Sequence, residues 1–486
     1  MLTALIFIPL IGALVTLLLP KDKPGTIKGF ALIVSLIPLA LLFVIWGAFD
    51  PSNPAMQLVQ QVQWIPSIGA EYHVGVDGIS FPLLWVTALV SVLAIVASWN
   101  IDHRVKEFYA WMLTLQTAMY GVFLALDYVL FFIFWELLLV PMYFIIGIWG
   151  GERREYAAIK FFIYTLVGSA IMLVGILALY LSTGAQTFNI LALAEAAQGI
   201  DPRLAFWFFL AFAFGFAVKV PVWPFHTWLP DAHVEAPTGG SMILAGVLLK
   251  TGTYGFFRIA YPTFPEAASQ FALVIGILAA FNIIYGALAA MAQKDLKKLV
   301  AYSSISHMGF VMLGLAAGTE MSMNGAMYVM ISHGVISPLL FFLVGSVFYD
   351  RVHTRMMGDM GGLFVKMPVA ATILAFAAFA NLGLPGLSGF VGEFFTFVGS
   401  FEALRAVVIV AAIGLAITAG YHLWMMQRVL MGQPKTEAAL ADITGRELVV
   451  GVPLMILTVV LGVYPALLLG LMNPAVVSLV SRLGGV

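Results

Sequence analysis

Residues 219–259 read KVPVWPFHTWLPDAHVEAPTGGSMILAGVLLKTGTYGFFRI. This stretch follows a solid apolar run, FWFFLAFAFGFAV, that ends at Lys219. Pro221 and Pro224 then break any helix, because proline removes a backbone donor and its ring clashes with the preceding turn. After Pro237, Gly239 and Gly240 a second apolar run begins, with Lys250 about ten residues inside it. At 1.5 Å per residue that is about 15 Å along a helix axis, near the centre of a bilayer if the segment spans. A lysine at that depth costs roughly 2.5–3.5 kcal/mol on insertion scales. Two lysines beside a broken helix therefore point to a device that moves charge.

Composition places the rest of the chain around this stretch. Of 486 residues, 62% are hydrophobic and 10% charged, against about 25% charged residues in soluble domains. The expectation is an all-α polytopic membrane protein. Absence of cysteine excludes disulfides, thiolate metal sites and iron–sulfur ligation. A net charge of −1 gives no basic face for nucleic acid. The segment MLTALIFIPLIGALVTLLLP reads as a retained first span, since it lacks a basic n-region and a small-residue cleavage site.

Apolar runs of span length occur about fourteen times. They group into an N-terminal unit of three helices (1–107), a five-helix unit (108–260), a second five-helix unit (271–430), and a C-terminal loop with one last span (431–486, the span at 447–472). Phe188 to Gln198 is too short to cross and reads as an interfacial helix. The fourth helix of each five-helix unit is interrupted, first at Pro221–Pro224 and again in LGLPGLSGFVGEF, Leu382 to Phe394. Five spans per unit force opposite topologies, and paired interrupted helices mark the ion path in transporters. Lys and Arg outside the spans collect on one side, leaving Arg203, Arg258, Arg405 and Arg482 on the other. Positive charge favours the cytoplasmic side. The skew predicts both termini on the extracytoplasmic side of a prokaryotic cell membrane.

Glu136 lies nine residues past Asp127, about 13 Å into its span. A mid-span carboxylate is a functional candidate, with a structural ion pair as the alternative. Paired with Lys219, it could switch that lysine between holding and releasing a proton. Arginine would not serve, because its charge cannot be removed. Lys250 reads as the next station, or as a static partner of a helix end. Glu393, just past the second break, reads as a terminal station or a half-helix cap. His307 and His333 sit in apolar spans as relays or as serine-bonded structural groups; His422 is a weaker candidate. His226, Asp231, His233 and Glu235 form a polar mouth that lines proton uptake or satisfies the broken helix. Nucleotide-binding and nucleophile-elbow motifs are absent.

The stretches VWPFHTWLPDAHVEAPTGGSMILAGVLLKTGTYGFFRI, KKLVAYSSISHMGFV and GLPGLSGFVGEF, with HVGVDGIS, resemble the M-type (subunit 4) antiporter-like subunits of proton-translocating NADH–quinone oxidoreductase. These respiratory complex I subunits are related to Mrp-type antiporters, and the resemblance covers essentially the whole chain. It implies two inverted five-helix units with two broken helices, and no redox cofactor in this chain; a metal site at His226 and His233 is not expected either, because no clear third ligand stands out. NADH, flavin, iron–sulfur clusters and quinone would be used in other subunits. It implies other membrane-arm subunits, including sister antiporter-like ones, as partners. By the same resemblance the essential glutamate is Glu136, the gating lysine Lys219, the central lysine Lys250, the exit glutamate Glu393, and the relay histidines His307 and His333. An Mrp-type Na⁺/H⁺ antiporter subunit, a non-pumping spacer and a quinone-site subunit are the competing readings.

Overall fold

The computed structural model describes residues 1–435 and 439–484. Among them, eleven helices are long and apolar enough to cross a membrane. Leu2–Leu18, Val105–Leu124 and Pro368–Asn381 also fall on expected spans. Several helices start where a side chain supplies the acceptor that the first-turn amides lack. Asp127 accepts from the amides of Val129 and Leu130. Asp295 does so for Lys297 and Lys298, and Thr319 forms a capping box with Ser322.

The helices sort by burial into an inner and an outer set. The most apolar windows of Thr238–Thr263 and Glu320–Val352 are 100% buried, and that of Leu296–Ala317 is 94% buried. Arg405–Val429 and Gly445–Val463 are only 33% buried and carry apolar side chains on the surface. A helix exposed to lipid needs no polar face, so the apolar periphery and the polar interior invert the soluble pattern. Lys250, His307 and His333 all lie on the inner set.

Both expected interruptions are present. One helix runs Pro202–Lys219 and resumes as Trp228–Glu235; the other runs Pro368–Asn381 and resumes as Ser388–Ser400. Hydrogen bonds between loops define two faces. On the face bearing most Lys and Arg, Lys28 pairs with Asp102 at 2.8 Å, Gly151 donates to the Glu235 carbonyl, and Arg351 pairs with Glu447 at 2.8 Å. On the opposite face Phe188 donates to the Gly69 carbonyl and Thr319 to the Gly399 carbonyl.

Three features depart from the sequence reading. Residues 57–76 form an antiparallel hairpin, Gln57–Ile65 with Ala70–Val76, on the face opposite the basic one. Its β-type run QLVQQVQWI and the turn at Gly69, φ +70°, are sequence signals that a search for spans passes over. The expected interfacial helix starts two residues late, running Ile190–Ala196 and continuing as a 3-10 turn over Ala197–Gly199. The expected single span at 447–472 is two helices, Gly445–Val463 and Ala466–Arg482. Pro465 separates them because it has no amide for the preceding turn, a stop that hydropathy alone does not register.

Candidate functional site

The first broken helix ends at Lys219, whose side chain is 2% exposed and whose Nζ has no hydrogen-bond partner. It lies 5.0 Å from the ring centroid of Trp135, a cation–π geometry. Trp135 is anchored by its indole N–H, which donates to Ser169 Oγ at 3.0 Å. Glu136 is the next residue along, half-buried at the edge of the bundle, with an unpaired Oε1. The expected Glu136–Lys219 contact is not closed: among the described residues no ion pair within 4 Å joins them. Trp135, the residue before Glu136, makes the ring contact with Lys219 instead.

Helix Thr238–Thr263 packs against this helix through Gly252, where a Cβ would lie 2.9 Å from the Phe216 carbonyl oxygen and 3.0 Å from the Val220 amide. That close approach brings the Lys250 helix beside the broken one. Two π-helical segments, Leu244–Leu248 and Phe256–Ala260, bracket the single α-helical turn pair that carries Lys250. Such wide turns concentrate at functional sites. The Lys250 ammonium donates to the Ala245 carbonyl at 2.5 Å and meets His333 Nδ1 at 2.6 Å.

From there a line of groups continues across the second unit. The rings of His333 and His307 have centroids 5.5 Å apart. His307 Nδ1 lies 2.7 Å from the Ser303 carbonyl and Nε2 lies 2.8 Å from the Asn381 carbonyl. Nε2 is also 3.4 Å from Glu393 Oε1. Neutral imidazole has a single N–H donor, so only the imidazolium form satisfies an acceptor at both nitrogens. Asn381 ends the half-helix Pro368–Asn381, so the negative end of a helix dipole also faces His307. Glu393 is 5% exposed, and among the described residues its Oε1 makes no closer polar contact than the 3.4 Å one to His307. It lines a mostly apolar cavity of about 990 Å³ that runs from Gly383 at the break to Thr319, Glu320 and Glu402 at the face opposite the basic one.

The remaining candidates divide. Asp231 pairs with Lys160 at 2.7 Å, and Glu235 Oε2 accepts from the Arg153 amide at 3.0 Å. These two carboxylates secure the connection after the break. His226 Nε2 is 3.2 Å from the Tyr285 hydroxyl. His422 is held between the Thr418 carbonyl and the Asn381 side-chain amide. Asn381 and Ser303 were not singled out from sequence. Their signal was position alone, one at the second break and one four residues before His307.

The family described as NADH:quinone oxidoreductase/Mrp antiporter, transmembrane, matches residues 125–418. NADH-quinone oxidoreductase subunit M of Rhodobacter capsulatus is 43% identical, covering 99% of this chain and 96% of that protein. The F(420)H(2) dehydrogenase subunit M of Methanosarcina mazei is 41% identical, covering 99% and 98%. A chain of respiratory complex I from Thermus thermophilus superposes with a TM-score of 0.91 at 30% identity, covering 100% of both chains. Broken helices, buried charge line and near full-length similarity agree: the chain belongs to the antiporter-like membrane subunits of the NADH:quinone oxidoreductase/Mrp family, as a subunit M type member.

Proposed function

We propose that this chain conducts protons through the membrane arm of a complex I-type NADH–quinone oxidoreductase, coupled to electron transfer from NADH to quinone in other subunits. It carries no redox group of its own. It sits in the cytoplasmic membrane of a prokaryote among sister antiporter-like subunits, with its basic face in the cytoplasm and both termini outside. The observation that carries this reading is the row Lys250–His333–His307–Glu393, with a 5.5 Å ring-to-ring step between the two histidines, which ends at a cavity lined by Glu393. Two inverted five-helix units, one break in each, account for the two halves of the path.

Each transfer moves one proton and leaves the donor ready for the next. The His307 imidazolium gives its Nε2 proton to the Glu393 carboxylate, and the resulting acid releases it into the 990 Å³ cavity. Neutral His307 then accepts a proton by way of His333. The Lys250 ammonium restores His333 through the 2.6 Å contact at Nδ1 and becomes a neutral amine. Lys219 reloads Lys250 from the cytoplasmic side, and Glu136 gates that step. While Glu136 is charged and near, it holds the proton on Lys219; its withdrawal lets the desolvated lysine release the proton.

The test records electron transfer and proton uptake together in native membranes carrying Glu136→Gln, Lys219→Ala or Lys250→Met. Loss of both activities in an assembled complex supports an obligatory proton path. Wild-type electron transfer and proton stoichiometry in all three would rule out conduction through this chain.

A further inference from the structure

His307 is held by two carbonyls of different origin. Its Nδ1 meets the Ser303 carbonyl at 2.7 Å, four residues back on its own helix. Its Nε2 meets the Asn381 carbonyl at 2.8 Å, on the same edge that approaches Glu393 Oε1 at 3.4 Å. The first carbonyl is fixed by the helix Leu296–Ala317 itself. The second is not fixed by its own helix. Asn381 is the last residue of Pro368–Asn381, and the chain turns away through Gly383 at φ +82° and Gly386 at φ +92°. Carbonyls at a helix C-terminus have no amide of a following turn to hold them. Something else has to set the place of the Asn381 carbonyl, and with it the His307 edge that faces Glu393.

The Asn381 side chain does so. Its amide nitrogen lies 3.1 Å from His422 Nε2 and 3.4 Å from Ser303 Oγ. Donors and acceptors in this cluster close without remainder. Ser303 gives its one hydroxyl hydrogen to the Val300 carbonyl at 2.7 Å, so it accepts from Asn381. His422 Nδ1 faces the Thr418 carbonyl at 3.0 Å and carries the ring hydrogen, which leaves Nε2 bare to accept. Both hydrogens of the Asn381 amide are thereby used, one toward the inner helix Leu296–Ala317 and one toward the outer helix Arg405–Val429. Asn381 and His422 are both buried, where a satisfied network rigidifies the groups in it. The His422 ring also packs on Tyr421, with centroids 4.3 Å apart. A donor at one nitrogen and an acceptor at the other suit neutral imidazole, whereas both nitrogens of His307 face acceptors.

We infer that Asn381 and His422 are positioning residues for the transfer from His307 to Glu393. His422 holds the Asn381 amide, the amide fixes the carbonyl at the second break, and that carbonyl orients His307 toward the carboxylate. His422 passes no proton itself, because its Nε2 has to stay bare to hold the amide. The inference rests on the proton-conducting reading above. It also gives the outer helix Arg405–Val429 a grip on the exit step. A shift of that helix moves His422 and, through Asn381, the edge of His307.

The test measures redox-driven proton uptake by the assembled complex in native membrane vesicles, with native gels to check assembly. His422→Phe keeps a ring against Tyr421 but offers no acceptor. His422→Gln puts an amide oxygen near the place of Nε2 and carries no proton. Asn381→Leu keeps the side chain's size and removes the amide. Glu393→Gln is the benchmark for the exit step. Expected is a fall of about tenfold or more in His422→Phe and Asn381→Leu, since misplacing a reacting group by about 1 Å can cost about 100-fold. His422→Gln should recover most of the wild-type rate. Phenylalanine is the closer match in shape, so a packing role would not favour glutamine, and a proton-carrying role would fail in both. Wild-type uptake in assembled His422→Phe or Asn381→Leu overturns the inference, as does a loss in His422→Gln equal to that in His422→Phe. Where His422→Phe does not assemble, Asn381→Leu takes its place in the comparison; where neither assembles, the rate in His422→Gln decides. If Glu393→Gln loses uptake while the inference fails, the conduction reading stands. Wild-type uptake in Glu393→Gln overturns both.

Discussion

At the scale of single residues, the path depends on groups held where they can change protonation. Glu393 sits against Gly383, whose φ is +82° and where a Cβ would come within 2.6 Å of Glu393 Oε2. A Gly383→Ala substitution therefore forces a side chain into the left-handed region at roughly 1–3 kcal/mol and displaces the carboxylate. Expected is a lower thermal inactivation temperature of the complex together with a slower proton uptake. An unchanged uptake rate would show that the carboxylate's position is not critical. Glu393→Gln keeps the shape and removes the proton acceptor for His307. Proton uptake should fall at least about tenfold with assembly intact, measured by pH-dye quenching in membrane vesicles.

The element scale is governed by how the polar ends of helices are tied down. Arg258 in the Thr238–Thr263 helix forms a 2.5 Å ion pair with Asp77, which also caps the Ser80–Ala97 helix by accepting from the amides of Ile79 and Ser80. Both side chains are under a tenth exposed. Arg258→Leu leaves a buried carboxylate without its partner, a loss of about 3–5 kcal/mol. Adding Asp77→Asn removes that charge but keeps the capping acceptor. The double variant should recover most of the thermal stability in a detergent melt; equal instability of single and double variants would contradict the argument.

The hairpin supplies a pH prediction at the same scale. His73 is buried where Ala70–Val76 meets the loop before Ile190, and its Nδ1 is 2.9 Å from Asn189 Nδ2. Burial holds the imidazole below its usual range, and Glu71 offsets this in part. The docked hairpin thus binds a proton less readily than the undocked one. Its docking stability is complete above the ordinary imidazole value of 6.5 and declines as pH falls below it. Protection factors of the amides in residues 57–76, corrected for the intrinsic pH dependence of exchange, should fall as pH falls from about 7 to about 5, and His73→Asn should flatten that dependence.

For the whole molecule, the separation of two faces is the organising fact. The chain contains no cysteine, so a single introduced thiol is the one reactive site in this subunit. Ser52→Cys, exposed in the loop before the hairpin, should react with a membrane-impermeant maleimide added outside intact cells. Lys21→Cys, exposed on the basic face, should react only after the cells are opened. The reverse pattern would invert the proposed direction of proton movement.

Apolar run length and the placement of Gly and Pro determined a great deal by themselves. A chain this apolar has to satisfy its backbone within helices. The prolines at 221, 224 and 385 cannot continue one. So the helical membrane fold, both interruptions, and Lys219, Lys250 and Glu393 beside or between them were readable before any coordinate. Hydropathy could not reveal the hairpin at 57–76 or the stop at Pro465, because one lies outside the spans and the other is a single missing amide. The tertiary structure alone decided which polar groups meet. Lys250 finds His333, eighty-three positions away, and His307 finds a carbonyl of the second break. Glu136 and Lys219 make no ion pair, and the His233 ring stacks on Phe341 with both nitrogens unpartnered. Sequence places a charge at a depth along its own helix. Only the packing of one helix against another sets the separation between charges, and proton transfer depends on that separation.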